Sequence, residues 1–235
     1  FGSSFAKGLV PPLCCWSRWV AMYCTQWQQI PGLLQPDADW NYAKKREAQE
    51  IVPGLWLGPF GAAKNAPFFE AAGITHVVIV RAPEECRILK PKFETRISYQ
   101  IFECRDAPCQ NLIPLFLPVK QHIDNILRRG GRVLLHGNAG MSRSAALIIA
   151  YIMQTFGLKD EAAHNYVLMR RHCISLNEGF KRQLKEFGVM LDAERTRLSA
   201  PPEELTPDFG RLRPVKRSWF DTGFVNDEAV DMAIG

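Results

Sequence analysis

Apolar residues along this chain switch between two spacings, and the switches mark its elements. Val52–Leu57 and Thr75–Val80 read as strands, the second a β-branched run suited to burial on both faces. Ile97–Phe102 alternates and predicts another strand. Phe68–Ala72 predicts a helix ended by Gly73. Leu115, Phe116, Val119, Ile123, Ile126 and Leu127 recur at helical spacing, which predicts a helix over Leu112–Leu127. Pro114 and Pro118 suit its early turns, and Gly130-Gly131 ends it. Arg132–Leu135 predicts the central strand. Ala145–Phe156 is apolar on every face, the mark of a helix buried in a core, and Gly157 stops it. Asp160 suits the cap of a helix running to about Arg171, and Glu178–Leu191 predicts a last helix. Strands interleaved with helices predict an α/β sandwich around a central sheet, with no internal repeat.

The ends lack this patterning. Residues 1–36, rich in Gly and Pro with Trp16, Trp19 and Trp27, read as a poorly structured extension. Asp37–Glu50 is polar and predicts a short helix leading into a domain over 37–193. Residues 194–235 read as a disordered tail. There Arg211, Arg213, Lys216 and Arg217 precede Asp221, Asp227, Glu228 and Asp231, with Trp219, Phe220 and Phe224 as candidate anchors for a docking or import contact.

Composition narrows the class. At 235 residues and 47% hydrophobic, one domain plus tails is the natural count. A net charge of +5 suits an acidic or phosphorylated partner but is too small to argue for nucleic acid. The seven cysteines are an odd number without metal-ligand spacing, which fits reduced thiols and an intracellular compartment. No segment approaches the ~20 apolar residues of a membrane span. Pro11, Pro12 and Arg18 break Leu9–Cys24, which also lacks the flanks of a signal peptide.

The chemistry is concentrated in VLLHGNAGMSRSAA, residues 133–146. A buried strand runs into His136, then a short loop rich in Gly and Ser, then Arg143-Ser144 and the apolar helix. Such a loop, closing onto a helix N-terminus, turns successive backbone N–H groups inward as an anion nest. The helix adds unpaired N–H groups and the positive end of its dipole. Gly140 permits a backbone geometry that a side chain would obstruct. Arg143 offers a two-pronged donor for two phosphate oxygens. The residues placed to cradle an anion are therefore Gly137, Asn138, Ala139, Gly140, Met141, Ser142 and Arg143, with Ser144 able to donate to an atom at position 137.

This layout resembles the phosphate loop of cysteine-dependent phosphatases, His-Cys, five residues, Arg, Ser/Thr. From about Trp40 to Leu191 the chain is similar to the dual-specificity phosphatase family. EIVPGLWLGPF (Glu50–Phe60), GITHVVIVR (Gly73–Arg81), HGNAGMSRSAALIIAYIMQTFG (His136–Gly157) and AHNYVLMRRHCISLNEGFKRQL (Ala163–Leu184) carry the likeness. The resemblance implies a cysteine-phosphatase-like α/β fold with a central mixed sheet flanked by helices. It also implies that Gly137 stands where the nucleophilic cysteine belongs. Glycine has no side chain, so covalent catalysis through position 137 is excluded. The likeness is strongest to an inactive member, which implies a pseudophosphatase without cofactor. Its implied partners are phosphorylated proteins, among them mitogen-activated protein kinases and substrate-recognition subunits of ubiquitin ligases, in cytoplasm and nucleus.

Asp106, in CRDAPC, matches the family's leaving-group acid, although Ala107 follows where Asn is usual. The alternative is a turn aspartate before Pro108. His136 reads as a support of the loop rather than an acid or base. Ser142 lies on the rim with no evident base, which argues against a substitute nucleophile. Cys104, Cys109 and Cys173 read as core packing. Asn177 and Phe180 are expected to tie the closing segment to the loop. The pair Arg170-Arg171 reads as a solvated helix end.

Overall fold

A computed structural model of the chain describes residues 40–199. The expectations for residues 1–36 and for the tail beyond Ser199, with Cys14, Cys15 and Cys24, lie outside them.

Five strands form one mixed sheet. They are β1 (Gln49–Val52), β2 (Leu55–Gly58), β3 (His76–Arg81), β4 (Ser98–Glu103) and β5 (Val133–His136), in the spatial order β1-β2-β5-β3-β4. Only the β1–β2 pair is antiparallel. The sequence reading of Val52–Leu57 as one strand is corrected: Pro53-Gly54 turns the chain into a hairpin. Gly54 has φ +80°, and its N–H donates to Glu50 Oε1 at 2.8 Å. Asp37–Glu50 is likewise not one helix. A 3₁₀ turn at Tyr42–Arg46 is capped by the Asn41 side chain, and β1 begins three residues later.

The helices are α1 (Ala66–Ala72), α2 (Ile113–Arg128), α3 (Arg143–Phe156), α4 (Asp160–Arg170) and α5 (Glu178–Ser199). Strand alternation divides the core. Val78, Val80, Val133 and Leu135 face α2, α3, α4 and α5, whereas Val77, Ile79 and Leu134 face α1 and the segment around Leu89. Every residue of α3 from Arg143 to Met153 is buried, as its uniform apolarity predicts. Lys159, not Asp160, holds the position before α4; Asp160 is its first residue, a carboxylate at the positive helix end. α5 runs two turns beyond Leu191, so the 193/194 boundary falls inside it.

The parallel strands aim their C-terminal ends at one edge of the sheet. There β5 delivers His136 into the loop, and Arg143 opens α3. Ligand sites in such sheets lie at this end.

Candidate functional site

The loop from Gly137 to Ser142 is tied down from outside through its carbonyl oxygens. His136 Nδ1 donates to Gly137 O at 3.0 Å and Phe60 N–H to Asn138 O at 2.9 Å. Arg171 donates from Nη2 to Ala139 O at 3.1 Å and from Nε to Gly140 O at 2.9 Å. Ser175 N–H donates to Met141 O at 2.9 Å and Ala146 N–H to Ser142 O at 2.8 Å. Six consecutive carbonyls are thereby turned away from the centre. Among the described residues, the N–H groups of 138–143 find no acceptor. A ring of unused donors at a helix N-terminus has the geometry that suits an anion.

Gly140 is required sterically. Its φ is +67°, and a Cβ there would lie 2.2 Å from Gly58 O. Gly137 differs, since its backbone is outside the left-handed region. An added Cβ would meet Val80 O at 3.3 Å and Ser144 Oγ at 3.6 Å. The base of the loop therefore has nearly enough room for a small side chain and holds none. Ser144 is buried against that space.

Arg143 is 7% exposed, but its guanidinium is not the open fork expected from the sequence. Glu85 grips its outer end, with Nη1 to Oε2 at 2.5 Å and Nη2 to Oε1 at 2.9 Å, and Nη1 also donates to Cys104 O at 3.1 Å. Nε–H and one Nη2–H are left for a ligand, and Asp106 Oδ2 stands 3.8 Å from Nε. Burial opposes the charge on Arg143, but the Glu85 bond and charge outweigh it and hold its pKa above the ordinary value. The Arg143 hydrogen bond draws the Glu85 carboxyl below its usual range against the opposing effect of burial. Glu85 was missed in the sequence. The only signal was an acidic pair after Pro83, which opens the 3₁₀ turn Pro83–Arg87.

Asp106 joins three segments. Its Oδ1 accepts from Ser142 Oγ at 2.7 Å and from Asn177 Nδ2 at 3.0 Å. Asn177 also caps α5, its Oδ1 accepting from Phe180 N–H at 2.9 Å, and Phe180 is buried in the core. The closing segment is thus fastened to the loop through Asn177 and Ser175. Ser142 lies on the rim, bonded to Asp106 rather than pointed inward.

Arg171 corrects the sequence reading outright. It is 0% exposed, and besides the two loop carbonyls it donates to Glu47 O at 2.9 Å, Lys45 O at 3.1 Å and Gln49 Oε1. No carboxylate touches it among the described residues. Burial lowers its pKa, yet a guanidinium stays charged at any physiological pH. A positive charge therefore lies buried behind the anion nest.

His136 is buried and stacks on Phe60 at 5.9 Å, and burial pushes its pKa down to about 4. It is neutral and donates to Gly137 O. Cys104 is buried with its thiol pushed up to about 11, the opposite of an activated nucleophile. Cys86 and Cys109 are exposed and Cys173 half-buried, so core packing describes Cys104 alone. Cavities of about 370 Å³ (Thr75, His76, His122 and neighbours) and 340 Å³ (Asp160, His164, Lys181 and neighbours) include no loop residue.

Residues 55–190 match the family described as dual specificity phosphatase, catalytic domain. The chain belongs to that family. It is 44% identical over 182 residues to serine/threonine/tyrosine-interacting protein B of Xenopus laevis, covering 77% of this chain and 82% of that one. It is 42% identical over 173 residues to the human serine/threonine/tyrosine-interacting protein, covering 73% and 78%. The crystal structure of that human tyrosine phosphatase-like protein superposes with a TM-score of 0.60 at 46% identity, over 62% of this chain and 97% of the other. The dual-specificity phosphatase fold, a mixed five-stranded sheet flanked by helices, is thereby established.

Proposed function

We propose that this phosphatase-fold protein is a pseudophosphatase, a receptor that holds phosphorylated side chains without hydrolysing them. One observation carries the reading. The loop keeps its outward-tied carbonyls, inward donors and buried arginines, while the position at its base is a glycine. A phosphoryl dianion would find donors and positive charge but no atom to attack phosphorus. Loss of the nucleophile from a covalent-mechanism hydrolase costs on the order of 10⁶ in turnover. Phosphate affinity need not fall with it. A thiolate beneath a dianion repels it by a few kcal/mol before screening, and here that repulsion is absent.

The biological role that follows is to bind phosphoproteins and so shield, anchor or regulate them. Mitogen-activated protein kinases and ubiquitin-ligase substrate-recognition subunits are the partner classes we propose, in cytoplasm and nucleus. Names of relatives support an interaction role, through the word "interacting", and one relative is a MAP kinase phosphatase with leucine-rich repeats of Dictyostelium discoideum. The test is titration with phosphotyrosine and phosphothreonine peptides. Binding by wild type, lost in Arg143→Ala, supports the reading; no binding, or binding indifferent to that change, sinks it.

A second reading has its own observation. Glu85 and Asp106 both place carboxylate on Arg143. If they neutralise the site, the protein is a scaffold using another surface, and Arg143→Ala leaves its partners bound. Inorganic phosphate released from a phosphopeptide by the wild type would instead mark a slow enzyme.

A further inference from the structure

Positive charge is distributed unevenly around the loop. On one side lie two short turns, Tyr42–Arg46 and Ala62–Lys64. The first is joined to the rim by Arg171, whose Nη2 bonds both Lys45 O and Ala139 O at 3.1 Å. The second is joined through Phe60, whose N–H bonds Asn138 O at 2.9 Å and whose ring lies 4.5 Å from Lys64 Nζ. The turns adjoin, since Arg46 O is 3.9 Å from where a Gly61 Cβ would stand.

Three cations of this side are not consumed. Lys45, Arg46 and Lys64 have no carboxylate within 4.0 Å among the described residues. Lys45 instead lies 5.6 Å from the Tyr42 ring. Arg171 adds a buried charge that no carboxylate offsets among the described residues. Glu47 is the acidic residue that follows these cations in sequence, and it leaves the segment basic. The other side of the mouth is different. Arg105 is taken by Glu84 at 2.5 Å, and Arg143 faces Glu85 and Asp106.

We propose that Lys45, Arg46 and Lys64 form a docking surface for acidic residues flanking the phosphorylated residue of a partner protein. The proposal rests on the loop being a phosphate receptor and names the sequence class that it favours. An extended chain advances ~3.3 Å per residue, so aspartate or glutamate two to four positions from the phosphoryl group lies about 7–13 Å along the chain from it. The asymmetry favours a peptide over a membrane. A peptide leaves the loop toward one side only, whereas a bilayer would also meet the exposed Glu84, Glu103 and Asp106. Of the large exposed hydrophobic residues among those described, only Tyr42 belongs to the basic side.

The experiment uses labelled phosphotyrosine nonapeptides with three glutamates on one flank, on the other, or on neither, and the unphosphorylated acidic peptides. They are titrated by fluorescence anisotropy into wild type, Arg143→Ala and the triple variant Lys45→Glu, Arg46→Glu, Lys64→Glu. Three exposed ion pairs supply about tenfold together. One acidic flank therefore binds wild type about tenfold tighter than the neutral peptide, and 0.5 M salt shrinks the gain. The triple variant abolishes the preference and binds the neutral peptide within about twofold of wild type, which also reports that it is folded. Equal binding of acidic and neutral phosphopeptides overturns this proposal and leaves the receptor reading intact. Acidic peptides bound alike with and without phosphate overturn the receptor reading and, with it, this proposal. Binding of phosphoinositide vesicles that is lost in the triple variant, with no peptide preference, overturns it in favour of a membrane.

Discussion

The substitution Gly137→Cys would test whether the loop is a working phosphate cradle. The backbone there is ordinary for an L-residue, and the added Cβ meets Val80 O at 3.3 Å, Ser144 Oγ at 3.6 Å and Ser144 Cβ at 4.0 Å. A neighbour must give by a few tenths of an ångström, a cost of about 1 kcal/mol. The unfolded chain loses conformations when glycine is replaced, which offsets about 0.4–1 kcal/mol of that. Gly137→Cys should therefore fold and melt within about 4 °C of wild type. Its sulfur would sit among the unused N–H groups at the start of α3, near Arg143 and within reach of Ser144 Oγ. Those donors lower a thiol pKa below its ordinary ~8.5. Two assays follow. Iodoacetamide at pH 6 should label the introduced thiol ahead of the exposed Cys86 and Cys109, read by peptide mass spectrometry. An aryl phosphate should be hydrolysed by the variant on the order of 10⁴–10⁶ times faster than by wild type. A folded variant whose introduced thiol reacts no faster than Cys86 and that releases no phosphate refutes the reasoning. The donors would then be misdirected or the pocket closed, and the scaffold reading would stand.

Arg171→Met removes the donor from five oxygens, that of Gly140 buried and the other four part-buried, and should cost about 3–5 kcal/mol, read by urea denaturation; Arg171→Lys should recover only part. Gly140→Ala drives a Cβ toward Gly58 O at 2.2 Å in a left-handed backbone, and should cost about 3 kcal/mol or more and remove phosphopeptide binding. For His136, the folded pKa of about 4 lies below the unfolded ~6.5, so the unfolded state takes the proton first. Stability should fall by about 3 kcal/mol as pH drops from about 6.5 to 4, and NMR should show its ring titrating near the lower value. Glu85 has a depressed folded pKa, so its contribution is complete above ~4.3 and is lost as pH falls through the folded value. Glu85→Gln should be less stable at pH 7 and lose less between pH 5 and 3, checked by thermal melts across that range.

The local sequence determined the elements whose periodicity or breakers are self-contained. The apolar run of Ala145–Phe156 could only be a buried helix, and the β-branched run before Arg81 could only be an inner strand. The loop from Gly137 to Ser144 was legible because its chemistry is contiguous, a strand, a glycine-rich turn and a helix start in one stretch. Boundaries resting on turn chemistry were less so, as when Pro53-Gly54 was read through rather than as a hairpin. What depended on distant segments was not legible. Arg171 follows another arginine at a helix end and looks solvated; it is buried because segments over 120 residues away in sequence supply carbonyls to its guanidinium. Glu85 reaches Arg143 across 58 residues. Lys45, Arg46 and Lys64 acquire a shared face only when two turns meet at the loop. Sequence sets which groups a chain carries and the period that folds them locally. Which charges are buried, neutralised or left open depends on the field of the assembled molecule, and only the tertiary structure decides it.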